Sequence, residues 1–152
     1  NELEFCRKYS YLCMVRYPKS IAYGFKIEPG LEEMIIPKFT LQPLVENYFV
    51  HGVDHKRKDN VISIKVRRVG EAVEIRVQDN GRGMEPSQLQ RIQQILSHRD
   101  PREEVEERKG RQSIGIVNVH ERFLLYFGDR YHIQITSEKG KGVLYTITIE
   151  DA

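Results

Sequence analysis

The alternation of apolar and polar side chains is sharpest between residues 62 and 77. Ile62, Ile64 and Val66 alternate with polar neighbours, Gly70-Glu71 interrupts, and Val73, Ile75 and Val77 resume the period of two. That pattern predicts a β-hairpin with one buried face. Tyr131–Ser137 and Val143–Ile149 predict two further strands around Glu138-Lys139-Gly140-Lys141-Gly142, and Ile21–Ile27 a short strand ended by Pro29-Gly30. Elsewhere helical spacing takes over. Leu3, Cys6, Tyr9 and Cys13 form a stripe over Glu2–Tyr17 until Pro18 stops it, and Leu41, Leu44, Val45, Tyr48 and Gly52 predict a second helix with one face on the core. Pro86–Leu96 predicts a short helix burying Leu89 and Ile92, and Ile116–Phe127 a longer one ended by Gly128, a favourable residue just past a C-terminus. About three main helices and about five strands predict a two-layer α/β sandwich, with helices on one face of a mixed sheet.

One stretch fits neither period. Ser97–Gln112 is dense in charge, with Val105 as its sole aliphatic residue. It buries too little apolar surface to offset its ordering entropy and is expected to be mobile unless a ligand holds it.

Composition narrows the class. At 152 residues the chain is one domain of ordinary size, and 30% charged residues fit a water-exposed globular fold. A net charge of +2 without a dense Lys/Arg block argues against nucleic acid. No apolar run approaches the roughly 18 residues of a membrane span and no signal peptide is visible, so a soluble segment without direct membrane contact is expected. A start at Asn1 suggests a piece of a longer protein. Cys6 and Cys13 lie seven apart, two helical turns on one face, and read as core thiols rather than a disulfide or a metal pair.

The candidate chemistry lies in three segments. Asp79-Asn80-Gly81-Arg82-Gly83-Met84 follows the hairpin, where Asp79 is expected to turn out of the core. An ionised carboxylate only accepts hydrogen bonds and suits an exocyclic amine, yet Asp-Asn-Gly is also ordinary turn chemistry. Gly81 and Gly83 permit close backbone approach to a ligand, or simply make turns. Ser113-Ile114-Gly115-Ile116-Val117-Asn118 places Gly115 where a loop passes into a helix, whose N–H groups and dipole favour phosphate; helix capping by Ser113 is the plainer alternative. Leu41-Gln42-Pro43-Leu44-Val45-Glu46-Asn47 sets one amide on a helix flank, a suitable single protein ligand for Mg²⁺ or an ordinary solvated Asn. Their order along the chain, rather than any one of them, favours a nucleotide site.

These segments resemble the ATP-binding domain of sensor histidine kinases in the GHKL ATPase superfamily, and more closely its LytS/YesM-type branch. The matching words are Leu41 to Asn47 with His51-Gly52, Asp79 to Met84, and Ser113 to Arg122, with Gly140 to Ile149 as the last hairpin. The resemblance implies a Bergerat-type ATP-binding fold over residues 18–152, preceded by a tail of an upstream dimerisation and phosphoacceptor helix over 1–17. A lid is implied over about residues 85–112. It implies ATP and Mg²⁺ as cofactors: Asp79 on the adenine amine, Gly83 admitting the base beside Gly81 and Met84, and Asn47 on the metal. His51, Ser113, Ile114, Gly115 and Ile116 would face the nucleotide, and Glu46 joins Asn47 as a catalytic candidate.

The implied activity is protein-histidine kinase chemistry in two-component signalling. The γ-phosphate would pass to a His on the separate domain, for relay to a response regulator receiver domain. The whole protein would be a homodimeric membrane sensor with this part in the cytoplasm. None of the five histidines, His51, His55, His98, His120 and His132, stands in the acceptor's Pro-His-Phe-type context. Two departures open alternatives. Val50 replaces a frequent basic residue, which favours a catalytically impaired nucleotide-binding or docking module unless His51, Lys56, Arg57, Lys109 or Arg111 compensates. Pro43 replaces the Glu of ATP-hydrolysing relatives, which favours transfer to an acceptor over hydrolysis.

Overall fold

A computed structural model describes residues 21–31, 41–54, 56–97 and 111–150. Its elements are β1 (Ile21–Ile27), α1 (Gln42–Asn47) running into a π turn (Tyr48–Gly52), β2 (Asn60–Val69), β3 (Ala72–Asp79), α2 (Pro86–Ser97), α3 (Arg111–Phe127), a short 3₁₀ turn (Gly128–Arg130), β4 (Tyr131–Glu138) and β5 (Gly142–Glu150). The sheet has five strands in the order β1-β2-β3-β5-β4. β1 runs parallel to β2, the crossover between them carrying α1, while every other pair is antiparallel. The predicted helix over Glu2–Tyr17, with Cys6 and Cys13, lies outside the described residues, as does the centre of the predicted lid, residues 98–110.

The strand alternation does what its period requires. Ile64 pairs with Val77 and Val66 with Ile75, all four buried, and Gly70 at φ +60° turns the hairpin. On the last hairpin Tyr145 pairs with Ile135 and Ile149 with Tyr131, also buried. These inward residues meet Leu44 and Val45 of α1, Ile92 and Leu96 of α2, and Ile116, Val119 and Phe123 of α3 in one core. Phe123 stacks on Tyr131 with ring centroids 5.1 Å apart, and the Tyr131 hydroxyl meets His120 Nδ1 at 3.0 Å. Truncating a buried aromatic such as Phe123 to Ala costs about 3–5 kcal/mol.

Two helices differ from their predicted form. The pattern from Leu41 to Gly52 reads as one helix, but only Gln42–Asn47 is α-helical, with Pro43 in the first turn where no N–H is missed. The chain then widens to π winding, closed by Val53 N–H donating to Tyr48 O at 3.0 Å. The wider turn puts the adjacent Tyr48 and Phe49 both into the core, which a regular helix places 100° apart. α3 begins at Arg111 rather than Ile116, so Gly115 lies in its second turn, not at a loop-to-helix junction. A Cβ at Gly115 would lie 3.6 Å from Pro43 Cβ, an ordinary contact distance, so α3 packs against α1 at this point. α3 ends at Gly128, φ +59°, as the sequence predicts.

Candidate functional site

β3 delivers Asp79 to the edge of the helical layer. It pairs with Ile62 and shares the inward side of β3 with Val73, Ile75 and Val77, so it faces the helices. The expectation that Asp79 turns out of the core is corrected here: the period of two carries on for one more inward step before the strand ends. The carboxylate is half-buried, and Oδ1 accepts from Gly81 N–H at 2.8 Å. Burial pushes its pKa up from 3.8 to about 6, against the downward pull of the Gly81 and Val143 N–H donors.

The turn after Asp79 is clamped on both sides. Arg82 N–H donates to Gly52 O at 2.8 Å on the π turn, Gly140 N–H to Arg82 O at 2.6 Å and Met84 N–H to Ser137 Oγ at 2.9 Å on the β4–β5 hairpin. The glycines are there because backbone is close. A Cβ on Gly81 would stand 2.1 Å from Gly52 O, and one on Gly83, at φ +68°, 2.1 Å from Glu138 O. Beneath the turn, Asn80 Oδ1 accepts from Val61 N–H at 2.8 Å and its Nδ2 donates to Asp59 O at 2.7 Å. Arg57 donates to Asn80 O and pairs with Asp59, so its guanidinium braces this turn instead of standing in for a missing phosphate ligand.

A cleft opens beside Asp79 with about 590 Å³ of empty space, its mouth included. Leu44, Tyr48, Ile92, Met84 and Val143 supply apolar wall, and Asn47, His51, Asp79, Gln88 and Tyr145 supply polar groups, with Gly52 and Gly83 between. Asn47 ends α1 and hydrogen-bonds the Tyr145 hydroxyl. Burial pushes that hydroxyl up to about 12, the Asn47 bond pulls it down, and the Asp79 charge raises it further.

Of the predicted site residues, Asn47, His51, Asp79, Gly83 and Met84 therefore line one cleft, with Gly81 in the turn behind it. Glu46 is exposed on α1 and Ile116 is fully buried in the core; neither lines the cleft. A Cβ on Gly115 would lie 3.8 Å from Asn47 Oδ1, so α3 passes directly beside the Asn47 amide. Ser113 and Ile114 are in the first turn of α3, and their side chains, like that of Val50, lie outside the described ones. The sequence reading missed Tyr48, Gln88, Val143 and Tyr145. Tyr145 had a faint signal, an inward position in the last strand, but its place beside Asp79 depends on β5 pairing with β3.

The fit to Mg²⁺ follows from the donors. Among the described residues no group of three or more His, Cys, Asp or Glu side chains is placed to hold a metal. A neutral carboxamide steadied by Tyr145 suits a cation that takes most of its ligands from phosphate and water.

The chain matches the family of histidine kinase-, DNA gyrase B- and HSP90-like ATPases over residues 38–152, and it belongs to that family. The sensor histidine kinase YesM of Bacillus subtilis is 30% identical over 149 residues, which cover 98% of this chain and 23% of that protein. The sensor protein LytS of Oceanobacillus iheyensis is 30% identical over 149 residues, 97% of this chain and 24% of the relative. The chain thus spans about a quarter of the length of these relatives. The same fold occurs in the histidine kinase domain of a blue-light-activated kinase of Erythrobacter litoralis, with a TM-score of 0.59 at 12% identity, covering 97% of this chain and 60% of that one. It occurs also in the histidine kinase AdeS of Acinetobacter baumannii, with a TM-score of 0.60 at 14% identity, covering 97% and 61%. The α/β sandwich and the LytS/YesM-type kinship expected from the motifs are thereby borne out.

Proposed function

We propose that this domain binds Mg-ATP in the cleft and presents the γ-phosphate to a histidine on a separate dimerisation domain, as the catalytic part of a two-component sensor kinase. The observation that carries it is Asp79, a half-buried carboxylate braced by two N–H donors in a cleft walled by both apolar and polar side chains. In its ionised form that group accepts from an exocyclic amine while Leu44, Ile92 and Val143 pack on the faces of a flat base. Asn47, held by Tyr145, would ligate Mg²⁺, which supplies charge neutralisation to the transferring phosphoryl group. His51 lines the same cleft, one helical turn beyond Asn47 in sequence.

Residues 1–17 would then be the tail of the upstream phosphoacceptor helix, and the lid would run over about residues 85–112, with Glu46 beside Asn47 at the point of transfer. The partners would be that upstream domain and a response regulator receiver, within a homodimer whose sensing part lies at the membrane. Among the described residues no helix is long and apolar enough to cross a membrane.

Calorimetric titration of Mg-ATP into the wild-type domain and into Asp79→Asn tests the binding step. Saturable binding that the substitution removes supports it. A folded wild-type domain that takes up no nucleotide would leave a docking module of the same fold, the second reading that Val50 favours. Transfer is tested with the full-length chain, by label appearing on the upstream histidine. Phosphate released without an acceptor would argue instead for hydrolysis, against which Pro43 speaks.

A further inference from the structure

Tyr48 follows Asn47 at the start of the π turn, and its side chain lines the cleft. Its ring sits against Gly52, where a Cβ would meet Cδ1 at 3.1 Å, and edge-on to Phe49 with centroids 5.3 Å apart. Tyr48 is only 2% exposed, and its hydroxyl is buried with no hydrogen-bond partner among the described residues. Buried polar groups are almost always paired, and leaving one unpaired lowers stability, so an orphan hydroxyl at a cleft wall points to a ligand. Tyr48, with its buried hydroxyl, and Asp79, with its carboxylate, thus both line one cleft.

We propose that Tyr48 is a specificity-determining residue that reads the base together with Asp79. This rests on the Mg-ATP reading above. Adenine offers an amine donor and a ring-nitrogen acceptor on neighbouring atoms. Asp79 accepts from the amine and Tyr48 donates to the ring nitrogen. Guanine offers a carbonyl oxygen and an N–H at the same edge, so its carbonyl would face the carboxylate and its N–H would face the hydroxyl donor. A site built to hydrogen-bond one edge pattern rejects the reversed one, because buried groups are then left unpaired.

The test is titration of ATP, GTP and 1-deaza-ATP, which lacks only that ring nitrogen, into wild type and Tyr48→Phe, with thermal melts of both proteins without nucleotide. Wild type should prefer ATP over 1-deaza-ATP by about tenfold, the worth of one buried hydrogen bond, and over GTP by more. Tyr48→Phe should lose about tenfold for ATP and bind 1-deaza-ATP as wild type does. It should also melt about 3 °C higher when empty, since an unpaired polar atom has been removed. An unchanged ratio of ATP to 1-deaza-ATP affinity in Tyr48→Phe overturns the role of Tyr48 while leaving ATP binding intact. A lower melting temperature for the empty variant overturns it too, because the hydroxyl then already has a partner. A folded wild type that binds none of the three overturns the Mg-ATP reading itself, and with it this one.

Discussion

Two clusters of buried polarity lie on the same side of this sheet, and they are finished differently. Under α3, His120 Nδ1 and the Tyr131 hydroxyl meet at 3.0 Å inside a stack of aromatic rings. That hydrogen bond is made by the protein with itself, deep in the core. At the cleft, Asp79 keeps a carboxylate whose burial raises its pKa to about 6, and Tyr48 keeps a hydroxyl without a partner. Both clusters contain a tyrosine and a titratable group, so composition does not separate them. The unused hydrogen-bonding capacity does. Polarity that is internally closed serves the fold, and polarity that is left open beside a cavity serves a ligand.

Substitutions at the two clusters should therefore part along that line. The largest effect is expected from Asp79→Asn, which replaces an acceptor by a group that also donates: nucleotide affinity should fall by at least about 100-fold by calorimetry. The same substitution should stabilise the empty domain at pH 7–8 by about 1–2 kcal/mol in urea denaturation, a figure reduced because the group is partly exposed. Equal affinity in the variant would erase the contrast between the clusters. Gly83→Ala comes next. Its Cβ would press on Glu138 O at a left-handed φ, so a loss of about 2–4 kcal/mol of stability is expected, with affinity falling as the clamp on the turn opens. Wild-type stability and affinity in this variant would mean that the turn relaxes without cost.

Tyr131→Phe should show the opposite pattern, a loss of about 1–2 kcal/mol from removing the buried hydrogen bond to His120 Nδ1, with nucleotide affinity unchanged. Altered affinity would join the two clusters that are here held apart. The pH profile gives the smallest effect. The pKa of Asp79 is raised from 3.8 to about 6 in the fold, so its proton favours the folded state. The stability Asp79 contributes is therefore greatest below pH 4, declines as pH rises from about 4 to about 6, and is level above. The difference between wild type and Asp79→Asn should carry that slope. Affinity for the base should weaken as pH falls through about 6, and a flat difference over this window would place the Asp79 pKa elsewhere.

What could be read from the sequence follows the range of the contacts. The hairpin β2–β3 is local, its alternation is clean, and its turn carries a glycine, so both strands were legible to within a few residues. The motif residues Asn47, His51, Asp79, Gly83 and Met84 were legible as well, since each lies in a short word with its own chemistry. The π turn was not, because helical spacing from Leu41 to Gly52 looks the same until the extra residue forces Tyr48 and Phe49 inward together. The start of α3 was misplaced because a glycine inside a helix reads as a boundary when the neighbouring α1 that packs against it is not in view. Asp79 was given the wrong face by stopping the alternation one residue early. The places of Tyr145 and Val143 beside Asp79 were not legible, because nothing local to them announces that β5 slots in beside β3.

That slotting has a consequence for the order in which the molecule assembles. β5 follows β4 in sequence yet lies between β3 and β4 in the sheet. It brings the Val143 N–H to Asp79 and the Tyr145 hydroxyl to Asn47. A chain emerging from the ribosome can complete the β2–β3 hairpin early, but that hairpin waits with an open edge until β5 arrives. The braced cleft is thus absent from every nascent form that lacks β5 (Gly142–Glu150). A truncated or stalled chain would display Asp79 without the strand that braces it, and so would be blind to nucleotide however well its first strands had paired.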